Sequence, residues 1–380
     1  MTGLGSLLNR RIDVVGDREA VETRGSLDWM MLAVLLLCCL GLIMAVSISG
    51  SDLSVGALSA VKSQGYKLAV GLVFFVLVAM VPIELFWFAA RPAYWVVTGL
   101  VYFAAWFGTS ANGAQRWIDL GPMTIQPVDL ARFCTVIYTA RIITEVGDDI
   151  VSFRRGILRI MLPSLVLAAG LLAQPDNGNA VFTLALGSCM AIVAGVPLRY
   201  FSVAALPAVA VLGWVVVQKS YAVDRLTGFL DPERGGQVWQ SLVAIASGGI
   251  TGQGLGSGWM KMGFVPEAHN DFIFAVVAEE LGTVGSVIVI ALFVAIGIAG
   301  LRLVLACQER FLRSLVFGFT IAICMQACIN LLVVTGMAPA KGIDLPFLSS
   351  GGTSLVVYLA AVGLIGNAVR ADARFHLGRQ

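Results

Sequence analysis

Apolar runs separated by short polar breaks dominate this chain. Ten of them are long enough to cross a bilayer, at roughly 29–49, 67–83, 86–108, 129–144, 157–174, 179–196, 201–217, 272–300, 314–334 and 353–369. A hydrocarbon core near 30 Å takes about 20 helical residues, so the second and fourth runs are short. The pattern predicts an all-α polytopic membrane protein with ten transmembrane helices. It divides the chain into an N-terminal tail (1–28), a membrane domain (29–369) and a C-terminal tail (370–380).

Most connections are short turns. The exception runs from about 218 to 271, and structureless loops of that length are uncommon unless functional. Within it, 237–247 reads as a helix too short to span, lying in the interface or re-entering the membrane. A glycine-rich run to Gly263 follows. Two further connections, 109–129 and 335–353, are dense in polar residues, glycine and proline. All three fall on one face when the spans alternate.

Composition agrees with the pattern: 58% of residues are hydrophobic and 13% charged, against about 25% charged in a soluble domain. Ten spans put both termini on one face, and that face carries sixteen of the 25 lysines and arginines. The positive-inside rule then places both ends in the cytoplasm. The charged first 25 residues show no signal peptide, so the first span is expected to direct insertion. Six of the seven cysteines lie in apolar spans, where they read as small hydrophobes without disulfide or zinc spacing. A net charge of +2 gives no sign of nucleic-acid binding.

No Walker loop, dinucleotide fingerprint or His/Cys metal cluster is present, so no cofactor is expected; a divalent cation is not readable from sequence. The densest chemistry is at 264–282, where acids and one of the two histidines end a polar loop that runs into an apolar helix. An ionisable group at a membrane boundary is costly and marks a functional site by default. Asp271 is the first candidate, as a catalytic carboxylate or as the N-cap of the eighth span.

Arg116-Trp117-Ile118, Gln126-Pro127, Gln174-Pro175-Asp176, the run from Gln240 to Ile245, Ser247-Gly248-Gly249, Pro266-Glu267-Ala268-His269 with Asp271-Phe272-Ile273-Phe274-Ala275, and Leu345-Pro346-Phe347 with Ser350-Gly351-Gly352 together resemble the SEDS (shape, elongation, division, sporulation) family. The resemblance covers almost the whole chain. Pro266 to His269, and Gly336-Met337 with Lys341-Gly342, look more like its division branch than its elongation branch. It implies a peptidoglycan glycosyltransferase that polymerises lipid II outside the bacterial cytoplasmic membrane. It also implies a class B penicillin-binding protein and other division proteins as partners. The departing pyrophosphate would supply the energy. Departures from the family pattern include Asp129 and Arg132 for the usual Glu and Lys, Asn270 and Asn179 for Thr, and Gly258 and Met260 where Ser and Gln are common.

Lipid II is α-linked and its polymer β-linked, so the transfer inverts. One base must take the acceptor proton, and cations must hold the leaving pyrophosphate. Asp271 fits the base. Glu279 and Glu280 stand about 12–14 Å further along a helix, beyond the roughly 5 Å of a double-displacement pair, and read as buried helix–helix contacts. Arg116, Lys261 and Lys341 are candidate phosphate contacts, although Arg116 beside Trp117 is also a common interfacial anchor. Asp129 and Arg132, three apart, can pair on one helix face. Gln126, Asp176, Glu267 and His269 complete the substrate-binding set; Asp176 fits a structural carboxylate equally well, and His269 an ordinary loop hydrogen bond. The lipid tail is expected in a groove between helices, its head group under the 218–271 loop. An elongation polymerase is the near alternative. A flippase of lipid-linked sugars is the rival class, disfavoured because polar residues crowd one face.

Overall fold

The computed structural model describes residues 3–49, 56–111, 114–119, 124–201, 236–258, 271–339 and 342–377. Its helices are α1 (Gly3–Ser49), α2 (Gly56–Met80), α3 (Ile83–Phe107), α4 (Pro127–Val146), α5 (Leu158–Ala173), α6 (Asn177–Ala194), α7 (Gln237–Gly248), α8 (Ile273–Ala306), α9 (Arg310–Val334) and α10 (Gly352–Leu377). Nine of the ten apolar runs coincide with one of these helices; the run at 201–217 lies outside the described residues after Phe201. Seven helices among the described residues are long and apolar enough to cross a membrane.

Proline and glycine set several boundaries. Pro127 opens α4 at its first turn, where a missing N–H is no loss. Gly195 ends α6 with φ +106°, a conformation that favours glycine. α2 begins well before the run at 67–83, and α1 carries the first span back through most of 1–28. Between α3 and α4 the polar connection folds as a small antiparallel sheet of β1 (Thr109–Ala111), β2 (Ala114–Asp119) and β3 (Thr124–Ile125). These strands are too short to announce themselves by alternation.

α4 and α9 stand at the centre. α4 packs on α3, α5, α6, α9 and α10, and α9 on α4, α6, α7, α8 and α10. Lipid tails are as apolar as leucine, so close approach through small residues drives such packing. A Cβ at Gly363 would lie 2.5 Å from the Phe75 carbonyl oxygen, and one at Gly300 2.2 Å from Thr320 Cγ2. All seven cysteines are free, and burial pushes the Cys307 thiol, just past α8, up to about 12.

α8 is broken at Gly282, where φ is +67° and ψ −162°. Residues 249–258 fill the break. The N–H groups of Gln253 and Gly254 donate to the carbonyls of Glu279 and Glu280 at 2.9 and 3.1 Å. Thr283 and Val284 donate to the carbonyls of Gly249 and Ile250 at 2.9 and 3.2 Å. Backbone groups freed by the break are thus paired, as buried ones must be. The short helix expected at 237–247 is α7, packed along α8 into this plug. Gly282→Ala would put a Cβ 2.3 Å from Gly252 N and 2.4 Å from Ile250 O. With the positive φ added, it should destabilise the protein by about 2–4 kcal/mol. Gly65→Ala, in open space, should not. Equal melting temperatures for the two variants in detergent would refute this account of the break.

Candidate functional site

Polar side chains of α2, α4, α8, α9 and α10 gather at the end of the bundle where α8 begins. Asp271 lies half-buried in the turn before α8. It is not the N-cap residue of the helix: that position is taken by Phe272. Its carboxylate faces Gly342, with Oδ2 3.1 Å from where a Cβ would sit, so a side chain there would crowd it.

Asn330 of α9 ties this junction together. Its Nδ2 donates to the Asp271 carbonyl at 2.8 Å and to the Ile343 carbonyl at 2.7 Å. One turn earlier on the same helix, Gln326 Nε2 donates to the Asp344 carbonyl at 3.0 Å. Gln326 Oε1 accepts from Arg132 Nη1 at 2.6 Å and from the Tyr358 hydroxyl. Arg132 Nη2 in turn pairs with Asp129 Oδ1 at 2.7 Å, so the two residues pair as their spacing suggests. Both are buried, at 8% and 6% exposure, and the Phe182 ring covers the guanidinium at 4.9 Å. Arg132 Nε and Asn330 Oδ1 find no partner among the described residues. A crevice of about 20 Å³ borders Asp129, Arg132, Phe319 and Tyr358. It has room for about one water, not for a polyprenyl tail.

The 342–351 segment is held from other sides as well. Lys67 of α2 donates to the Ser350 carbonyl at 2.7 Å. Phe347 is buried with φ +67°, and its ring meets Tyr358 edge-on at 6.1 Å. A non-glycine residue in that region costs of order 1–3 kcal/mol and persists only where its surroundings enforce it. A Cβ at Gly351 would lie 2.0 Å from Asp344 Oδ2, so any side chain there would push that carboxylate aside.

Glu279 and Glu280 are buried in the short first segment of α8. Ser47 Oγ, at the end of α1, donates to Glu280 Oε2 at 2.5 Å and accepts from the Gly256 N–H at 3.0 Å. Glu280 therefore ties the broken helix to α1 and to the plug. Asp176 uses both oxygens at the start of α6, accepting from Asn179 N at 3.3 Å and from Asn179 Nδ2 at 2.7 Å. Gln126 is half-buried just before α4 and makes no side-chain cap. Arg116 and Trp117 are neighbours on β2, which packs on α3 and α4. Lys261, Glu267, His269 and Lys341 lie outside the described residues.

Sequence reasoning missed Lys67, Gln326, Asn330 and Tyr358 as parts of this site. The readable signal was two amides one turn apart inside an apolar run, an expensive arrangement unless both are bonded.

Fold and site define a polytopic membrane protein with a buried polar network at one end of its bundle. Residues 28–374 match the family of cell cycle proteins that takes in FtsW, RodA and SpoVE, and the chain belongs to that family. It is 36% identical over 361 residues to "Probable peptidoglycan glycosyltransferase FtsW" of Thiomicrospira cyclica, covering 91% of this chain and 92% of that one. The protein of the same description from Thioalkalivibrio sp. (strain K90mix) is 37% identical over 375 residues, 94% of this chain and 92% of that one. A solved peptidoglycan synthase complex, described as coordinating polymerization and crosslinking, contains a chain that superposes with TM-score 0.77 at 28% identity, over 90% of this chain and 97% of that one. The rod shape determining protein RodA of Thermus thermophilus superposes with TM-score 0.68 at 26% identity, over 90% of this chain and 96% of that one. The chain is an integral membrane protein.

Proposed function

We propose that this chain polymerises lipid II on the outer face of the bacterial cytoplasmic membrane during cell division, with Asp271 as the general base. Its class is peptidoglycan glycosyltransferase. The observation that carries the finer reading is the junction at the start of α8. There Asp271 stands one residue ahead of the N-cap Phe272, with its carboxylate against Gly342, and Asn330 bonds its backbone to that of Ile343.

In the proposed step, an acceptor sugar hydroxyl attacks the anomeric carbon of a lipid-linked donor. Asp271 takes the hydroxyl proton, the new C–O bond forms, and the old bond to pyrophosphate breaks with inversion. A single base suffices, and no cofactor is required because the leaving group carries the energy. Arg132 is engaged by Asp129 and Gln326, so it supports the site rather than holding phosphate. Arg116, Lys261 and Lys341 remain the candidate pyrophosphate ligands. Crosslinking falls to a class B penicillin-binding protein whose single span packs alongside. The relatives' FtsW description favours division over elongation. The test is purified protein with lipid II, with and without that partner, resolved on a gel. Absence of polymer in both arms would sink the reading.

The orientation rests on sixteen of 25 basic residues sharing a face with both termini. In a chain stripped of its native cysteines, Ser257→Cys, which is exposed in the plug, should react with a membrane-impermeant thiol reagent in intact cells. Ser152→Cys should react only after permeabilisation. The opposite pattern would put Asp271 in the cytoplasm.

A further inference from the structure

At the end of the bundle remote from Asp271, the link between α4 and α5 makes a second cavity, of about 450 Å³. The link is a 3₁₀ turn (Gly147–Val151) followed by a π turn (Phe153–Ile157) that runs straight into α5. π turns are rare and frequently mark functional sites. Gly156 lets the link fold back on itself, since a Cβ there would lie 2.3 Å from the Ile150 carbonyl oxygen. Arg154, Arg155 and Arg159 line the cavity with Glu145 and Asp149.

The charges do not cancel. Glu145 is shared, with Oε1 taken by Arg141 and Oε2 by Arg159, both at 2.7 Å. Asp149 meets Arg155 only at 3.7 Å, with both side chains exposed, which leaves that pair weak. Arg154 makes no ion pair or hydrogen bond among the described residues. Two guanidiniums are therefore left to face an anion, and their planar forks suit phosphate. Below them Leu158 and Leu162 also line the cavity, and with Leu165 they form an exposed stripe along the outer surface of α5. Residues at such spacing share one helix face.

We propose that this cradle binds the phosphate of an anionic glycerophospholipid, with the acyl chains lying along Leu158, Leu162 and Leu165. A basic pocket opening onto a membrane-facing apolar stripe has the polarity of such a lipid, cationic at the head and hydrocarbon along the tail. A free phosphate would use the arginines and leave the stripe idle. An acidic peptide would have no reason to follow a stripe that enters the bilayer. The site is independent of the glycosyl-transfer reading, since it lies at the other end of the bundle.

The test is native mass spectrometry of the full chain in a neutral detergent, titrated with phosphatidylglycerol or with phosphatidylcholine of the same acyl chains. Phosphatidylglycerol should be retained at least tenfold better. Arg154→Gln with Arg155→Gln should lose about 10- to 30-fold of that retention, at roughly one charge-worth of binding per arginine. Leu158→Ser with Leu162→Ser should weaken the lipid further than it weakens inorganic phosphate. Equal retention of the two lipids by the unsubstituted chain overturns the proposal, and that comparison needs no variant to fold. So does complete displacement of phosphatidylglycerol by millimolar inorganic phosphate, which would mean a free-anion site, or by an acidic peptide, which would mean a protein partner.

Discussion

Asp271→Asn should lower lipid II polymerisation by about 10²–10⁴-fold, the usual share of general-base catalysis, and leave folding intact. Asparagine keeps the size of the side chain but cannot accept a proton at neutral pH. The fold should not notice. The N-cap of α8 is Phe272 rather than this residue, and the Asn330 bond goes to the backbone carbonyl at position 271, which survives the exchange. Asn330→Ala makes the contrasting case: it strips the amide from two carbonyls, those of Asp271 and Ile343, so it should cost both rate and stability. About 1–3 kcal/mol is expected for each buried acceptor left bare. Rates from a gel-based polymerisation assay and melting curves in detergent separate the two behaviours. Near-normal polymer from Asp271→Asn would remove the residue from the chemistry.

Cutting the Asp129–Arg132 pair should cost both stability and rate. Both side chains are buried, and Arg132 also donates to Gln326. Removing either partner leaves a buried charge without its counter-ion, which typically costs about 3–5 kcal/mol. Asp129→Ala and Arg132→Ala should therefore each lower the melting temperature and the polymerisation rate. The double variant should recover part of both losses, because no stranded charge remains. Exchanging the pair together for Glu and Lys should be tolerated better than either exchange alone, since each single change mismatches reach. Strictly additive losses across that cycle would show that the two do not act together.

Much of this architecture was legible because lipid imposes one rule: spans must be apolar and helical. The runs at 86–108 and 314–334 map onto α3 and α9 within a few residues. The Asp129–Arg132 pair was also legible, because two opposite charges three apart on a helix can hardly avoid each other. The break in α8 was not. Leu281-Gly282-Thr283 reads as uneventful span, and the groups that stabilise the break belong to residues 249–254, which are backbone donors and acceptors with no side-chain signature. Gln326 and Asn330 were passed over for a related reason. They carry no charge, and their importance comes from which carbonyls they meet across the bundle. Lys67 sits at the edge of an apolar run, where a lysine that reaches back over 342–351 looks like one that reaches into water.

Gln326 grips the ion pair and Asn330 grips the Asp271 junction, and they are four residues apart on one helix. The rise of an α-helix puts them about 6 Å apart along the axis. α9 thus works as a ruler with two fixed marks. Inserting one residue between them would rotate the marks by roughly 100° and break at least one grip. A slide of the whole helix, by contrast, would carry both marks equally. The buried charge pair and the proposed base are phase-locked, and a force that shifts α9 along its length must retune both at once.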